Sequence, residues 1–252
     1  EAHRCAGKAD AGFATILDGE KIRASKRLFT TATPRYFGKA IKDEAKANDL
    51  AVVGMDDEAV FGPVIHKLTF GQAIEQELLT DYQVVIVGVD EPMVREWIEN
   101  YEIVSTDPDN HTDARTLAAK IGLLKAVKDC DLKRIISFHS RVAGAKKFSD
   151  ELVDVANLIE PANRPEGTFL SDYVSGAMKA GDRKEKIDRL KVLEGYDRGI
   201  LTNARCLAEG VDVPSLDGVA FIDPRGSQVE IIQAVGRAIR KVRGATVQKK
   251  GT

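Results

Sequence analysis

Cysteine, histidine and excess charge are all scarce in this chain of 252 residues, and each scarcity closes off a class of function. Its 3 cysteines, Cys5, Cys130 and Cys206, show neither metal-ligand nor disulfide spacing, which suits a reducing, cytoplasmic setting. The 4 histidines are scattered, so no metal site is expected. A formal net charge of −2 lacks the global basicity that advertises nucleic-acid binding. No signal peptide and no apolar run of membrane-spanning length occur, so no membrane partner is expected. Also absent is G-x-x-x-x-G-K-[ST], the loop whose amides cradle β- and γ-phosphates.

What is present is the composition of a globular protein, 43% hydrophobic and 30% charged. The length suffices for one large or two modest domains. Lys39–Ala47 has the pattern of a polar helix, and Leu28–Thr30 reads as a buried strand. Val64–Phe70 and Tyr82–Val89 read as strands, with a helix over Gly71–Leu79 between them. The clearest loop is the polar stretch Ser105–Thr112; beyond it Leu117, Ile121, Leu124 and Val127 line one side of a helix. Arg134–Val142 is a strand running into a polar turn, and Phe169–Ser175 and Val219–Ile222 are further strands. Asp182 and Glu185 have the spacing of a capping box and open a helix. Strands alternating with helices in this way indicate a parallel α/β sheet with helices on both faces.

The last quarter carries the chemistry. Ile200 and Leu201 close a short strand, placing Thr202 at its carboxyl end, where open α/β sheets bind ligands. Gly210 permits a turn that a side chain would forbid, and Asp212 and Pro214 follow. Further on, Gln233, Arg237 and Arg240 share one stripe of a helix that turns about 100° per residue. Ile232, Val235, Ile239 and Val242 fall on roughly the opposite side, which is expected to face the core. The two guanidinium groups then point away from their own core, and their planar forks are suited to phosphate oxygens. No acidic residue follows Glu230, whereas Arg237, Arg240, Lys241, Arg243, Lys249 and Lys250 do, extending a phosphate-binding surface. The basic cluster between Lys179 and Lys191 is diluted by Asp182, Glu185 and Asp188 and reads as a solvated helix face.

Together, the segments Thr202–Pro214 and Gln233–Arg240 resemble motifs V and VI of the superfamily 2 helicases, nucleic-acid motors driven by ATP. The opening Glu1-Ala2-His3 is similar to their DEAH box without its first Asp, and Thr31-Ala32-Thr33 to motif III. The turn after Arg134–His139, with Ser140 and Arg141, resembles motif IV. The segment Gly62–Tyr82 is similar to the restriction-subunit-like branch, related to type I and type III restriction motors. That branch points to a double-strand DNA translocase more than to an RNA-remodelling protein.

The resemblance implies a RecA-like fold: residues 84–252 as the second motor domain and residues 1–83 as a remnant of the first. It implies ATP and Mg²⁺ as cofactors of the full-length protein, with the metal-holding Asp outside the chain and a P-loop domain supplied in cis. Glu1 would orient the attacking water, and Arg237 and Arg240 would reach the γ-phosphate. His3, Gly210, Asp212 and Gln233 would lie at the nucleotide, and Thr31 and Thr33 would couple it to the nucleic acid. Ser140, Arg141, Gly176 and Thr202 would contact the nucleic-acid backbone. Read with the missing phosphate loop, this chain is expected to be a piece of the motor that does not hydrolyse ATP alone. A nucleic-acid-binding module without ATPase activity, or the motor part of a restriction enzyme, are the alternative readings.

Overall fold

The computed structural model describes residues 2–8, 11–89, 114–204, 216–224 and 228–238. Two units divide the chain, Glu1–Thr69 and Phe70–Thr252. In the first unit, a 3₁₀ turn at Ala2–Arg4 leads into β1 (Gly7–Lys8), and a second 3₁₀ helix spans Gly12–Leu17. Then come α1 (Lys39–Ala47), β2 (Val52–Val53) and α2 (Glu58–Phe61). β1 and β2 form an antiparallel ribbon. The α1 helix covers the residues its pattern predicts but buries only Ala45, so it is held largely by polar contacts such as Lys42 Nζ to Asp56 at 2.7 Å. Asp57 caps α2 by accepting from the amide of Ala59.

Leu28–Thr30 forms no strand: Leu28 is 72% exposed, and Phe29 instead packs edge-on against Phe61 at 5.0 Å. The same correction applies to Val64–Phe70 and Tyr82–Val89, which carry no ladder. Strand propensity needs a neighbouring strand to act on, and among the described residues these segments have none. Ile86 is accordingly 91% exposed. Val87 and Val89 find another use, lying where a Cβ on Gly122 would meet Val89 Cγ2 at 3.2 Å.

The second unit begins with α3 (Phe70–Glu75), shorter than the helix expected over Gly71–Leu79. It continues with α4 (Ala114–Asp129), β3 (Arg134–His139), α5 (Val142–Leu158), β4 (Phe169–Ser175) and α6 (Ala180–Val192). The remaining elements are β5 (Arg198–Ala204), β6 (Gly218–Phe221) and α7 (Gln228–Ala238). The strands form a parallel sheet in the order β4-β5-β3-β6. Both central strands are buried on both faces, and neighbours along each strand point to opposite sides. Ile135 and Ile200 face α4 and α5, packing with Leu117, Leu124, Phe148 and Leu152. Ile136 and Leu201 face α6 and α7, packing with Leu190, Ala234 and Ala238. The α4 stripe of Leu117, Ile121, Leu124 and Val127 is buried as its spacing predicts.

Two departures concern boundaries. The β5 strand runs on through Asn203 and Ala204, so Thr202 lies inside it, paired between Ser137 and Tyr173. The α6 helix is entered at Lys179, so Asp182 sits in its first turn and is not the capping residue.

Aspartates tie the amino ends of neighbouring strands. Asp217 Oδ2 accepts from the amides of Lys133 and Arg134, and Asp197 Oδ2 from the amide and hydroxyl of Thr168. The Thr168 bonds hold the Asp197 carboxyl below its usual value, and the Arg198 hydrogen bond does the same for Asp131. A carboxyl depressed in the fold stabilises it above the unfolded value and loses that contribution as pH falls through the folded value. Stability should therefore hold from neutrality down to about pH 5 and decline below about pH 4. Acid melts of Asp197→Ala should show a shallower decline; an identical acid limb would remove Asp197 from the account.

Candidate nucleic-acid and nucleotide interface

The carboxyl ends of the parallel strands share one edge of the sheet, the edge where open α/β folds bind ligands. There β3 ends at His139 and passes through Ser140 and Arg141 into α5, while β4 ends at Ser175 and turns at the exposed Gly176 toward α6. β6 ends at Phe221 and leads past Asp223 toward α7. The fold thus brings Ser140, Arg141 and Gly176 to one edge.

Both helices that start here have a basic residue at the capping position and no side-chain cap: Arg141 for α5 and Lys179 for α6. Ser, Thr, Asp or Asn is the usual occupant, because its oxygen satisfies a free amide. A cation there is also opposed by the helix dipole. The α5 helix has no acidic residue in its first turn. This combination leaves amides and positive charge available to an external anion. Arg183 turns back toward the end of β4, its Nη1 lying 3.5 Å from the Ser175 carbonyl oxygen.

Ser140 is held by Asp223: its amide and its hydroxyl both donate to Asp223 Oδ2, at 2.7 and 2.8 Å. Burial pushes the Asp223 carboxyl up, but the two Ser140 bonds, with the charges of His139 and Arg115, bring it below its usual value. Beneath the turn, Thr202 is fully buried and its hydroxyl donates to the Ala145 carbonyl in the first turn of α5 at 2.8 Å. The Thr202 side chain therefore faces α5, where the sequence reading gave it an open strand end. His139 is also buried, with Nε2 3.1 Å from Ser137 Oγ and its ring edge-on to Phe148.

The residues of α7 that face the core most fully are Ala234 and Ala238, while Ile232, Gln233 and Val235 are half-buried. The buried stripe is thus turned from the one expected, because the two alanines are small enough to let the helix settle onto Ile136, Phe138 and Leu201. Gln233 stands about 100° around the helix from Ala234, away from that contact. Arg237 belongs to α7, and its side chain, like Glu1, Gly210, Asp212 and Arg240, lies outside the described residues.

In the first unit, His3 meets the hydroxyl residues of the segment read as motif III. It is buried, with Nδ1 3.1 Å from Thr31 Oγ1 and 3.5 Å from Thr33 Oγ1. The Thr33 amide donates to Thr31 Oγ1, and the Ala2 amide to the Thr30 carbonyl, which pins the two segments together. His3, Thr31 and Thr33 are therefore one cluster.

The sequence reading missed Asp223 and Lys179. Asp223 directly follows the strand expected over Val219–Ile222 and carries no motif of its own, and Lys179 stands only as one member of a diluted basic cluster. Among the described residues, no group of three His, Cys, Asp or Glu side chains could hold a metal ion, and no helix is long and apolar enough to cross a membrane.

Residues 123–242 match the family described as "Helicase conserved C-terminal domain". A curated relative, "Probable helicase A859L" of African swine fever virus, is 26% identical over 246 residues, 96% of this chain and 24% of that protein. Among solved structures, "ATP-dependent Type ISP restriction-modification enzyme LlaBIII bound to DNA" superposes with a TM-score of 0.74 at 31% identity, covering 97% of this chain and 17% of that one. A fragment assigned as the HsdR subunit of a type I restriction enzyme from Vibrio vulnificus YJ016 shares the fold, with a TM-score of 0.50 at 23% identity over 74% of this chain and 34% of its own. Residues 123–242 are therefore a helicase C-terminal domain with a RecA-like fold. The relatives and structural neighbours of the chain include helicases and type I and type ISP restriction enzymes, consistent with the restriction-subunit-like branch of the superfamily 2 helicases. It spans about a quarter (24%) of the length of the curated relative it matches.

Proposed function

We propose that this chain is the second motor domain, with motif II and motif III elements of the first, of an ATP-driven nucleic-acid translocase acting on DNA in the cytoplasm. The observation that carries this reading is the sheet edge where Arg141 and Lys179 stand at two uncapped helix starts beside Gly176. Phosphates of a strand lying along that edge would find amides and cations, and contacts of this kind position a backbone without reading its sequence.

The donor set suits the phosphate end of a nucleotide. By their spacing in the sequence Gln233, Arg237 and Arg240 would bring an amide and two guanidinium groups to one side of a helix, and the described residues hold no carboxylate cluster for Mg²⁺. ATP bound on a P-loop domain in cis would supply the bond whose cleavage drives the motor. By the helicase resemblance Arg237 and Arg240 would neutralise charge that builds on the transferred phosphoryl group, Glu1 would orient the attacking water, and Gly210 and Asp212 would lie on the ribose side. His3, joined to Thr31 and Thr33, relays the state of that site toward the nucleic acid. Without a phosphate loop, the chain alone does not hydrolyse ATP. A DNA translocase serving a restriction enzyme is a second reading, favoured by the 31% identity to a DNA-bound restriction-modification enzyme.

Backbone contacts predict strong salt dependence. Affinity for single-stranded DNA should fall with a log–log slope of about −0.7 per phosphate contacted, and Arg141→Ala should reduce the slope by about one such contact. Fluorescence anisotropy across a salt series measures this. An affinity indifferent to salt would contradict the phosphate-edge reading.

A further inference from the structure

Ser140 has one amide and one hydroxyl hydrogen to give, and both go to the same oxygen of Asp223. With those donors engaged, the Ser140 side chain is an anchor, and the phosphate-facing groups of the turn are Arg141 and the amides that begin α5. We propose that Asp223 is a positioning residue: it locks the Ser140–Arg141 turn to the root of α7, so that the helix carrying Arg237 and the turn gripping a nucleic-acid phosphate move together. This rests on the motor reading above.

Three observations set the clamp apart from ordinary strand pairing. The ladder between β3 and β6 runs only from Ile135 to Phe138, and the Ile222 amide to the Phe138 carbonyl closes it at 3.2 Å. Asp217 already ties the same two strands at their other end. The Asp223 bonds lie beyond the ladder and add nothing to it except the location of Ser140. Meanwhile Thr202 fixes α5 from beneath through the Ala145 carbonyl. The start of α5 is therefore held at two points, by residues leading out of β6 and within β5. Asp223 lies five residues before the first residue of α7, which makes the stretch of chain between the clamp and that helix short.

The test has a sign. Asp223 is a carboxylate near the place where a phosphate would sit, so loss of its charge alone would tighten DNA binding. Loss of a positioning clamp weakens it. In the full-length protein, Asp223→Ala should raise the dissociation constant for a DNA oligonucleotide about ten-fold, the worth of a hydrogen-bonded charged group. Asp223→Asn, whose amide oxygen can still accept from Ser140, should recover most of that loss. Ser140→Ala and Asp223→Ala together should cost far less than the product of their separate effects, as expected of partners in one interaction. Melting temperatures of all variants serve as the folding control, and Asp223→Asn keeps the test decisive if the alanine variant is unstable. Wild-type or tighter binding by Asp223→Ala, or independent effects in the double variant, would overturn the clamp alone. A wild type that binds no nucleic acid would overturn the motor reading and the clamp with it.

Discussion

Arg237→Ala, or Arg240→Ala, in the full-length protein should lower DNA-stimulated ATP hydrolysis by about 10³-fold or more while the fold is retained. The magnitude is that of an arginine that stabilises charge on a transferring phosphoryl group, about 10³–10⁵ in related chemistry. Ala234 and Ala238 take the buried side of α7 against Ile136 and Leu201, which fixes the rotation of the helix. Arg237, next to Ala238 in sequence, is about 100° around from it, and Gln233 is one turn earlier on the same side. With the core side of α7 taken by Ala234 and Ala238, which both variants keep, thermal unfolding is expected to be unaffected. Lysine should not rescue, because a single ammonium cannot reproduce the planar fork. Turnover at the wild-type level in either alanine variant would remove the assignment.

Glu151→Ala should destabilise the second unit by about 3 kcal/mol, the lower end of the range for breaking a buried ion pair. Lys120, on α4, is completely buried, and its ammonium group meets the Glu151 carboxylate of α5 and stands 5.7 Å from the centre of the Phe148 ring. Burial pushes the Lys120 pKa down, and the hydrogen bond and charge of Glu151 pull it back up. Removing Glu151 leaves the burial and takes away the compensation. The lower end of the range applies because Glu151 keeps 28% of its side-chain exposure and also lies 3.8 Å from Lys147. Lys120→Met, by contrast, fills the same space without a charge and should be neutral or stabilising. Denaturant unfolding measures both. A Glu151→Ala variant within about 0.5 kcal/mol of wild type, the range of ordinary surface substitutions, would show that the pair carries no such burden.

The second unit was legible because its strands are short runs containing aliphatic and aromatic residues, set between helices whose apolar spacing is regular. Arg134–His139 and Phe169–Ser175 could be read directly, as could the Leu117–Val127 stripe. Tyr82–Val89 has the same kind of run and forms no strand, because residue type records a preference for pairing and says nothing of whether a neighbour exists. The β5 strand was read too short since Asn203 and Ala204 carry no strand signal of their own; their pairing with β3 and β4 keeps the strand going. That misreading placed Thr202 at an open edge, whereas its hydroxyl is spent inside the fold. The Asp223–Ser140 contact joins residues 83 positions apart; no local pattern encodes it. The stripe of α7 was misjudged for a related reason: alanines count as weak hydrophobes in a periodic pattern, yet they allow the closest approach of helix to sheet. His3, Thr31 and Thr33 were singled out from a likeness of short motifs, and the fold brings them within hydrogen-bonding distance.

The most direct test is ATP hydrolysis by the full-length wild-type protein with no nucleic acid, with single-stranded DNA and with double-stranded DNA. The account predicts low turnover alone and a marked rise with DNA, greater on the duplex. A folded preparation whose hydrolysis is absent, or is indifferent to every nucleic acid added, would contradict it.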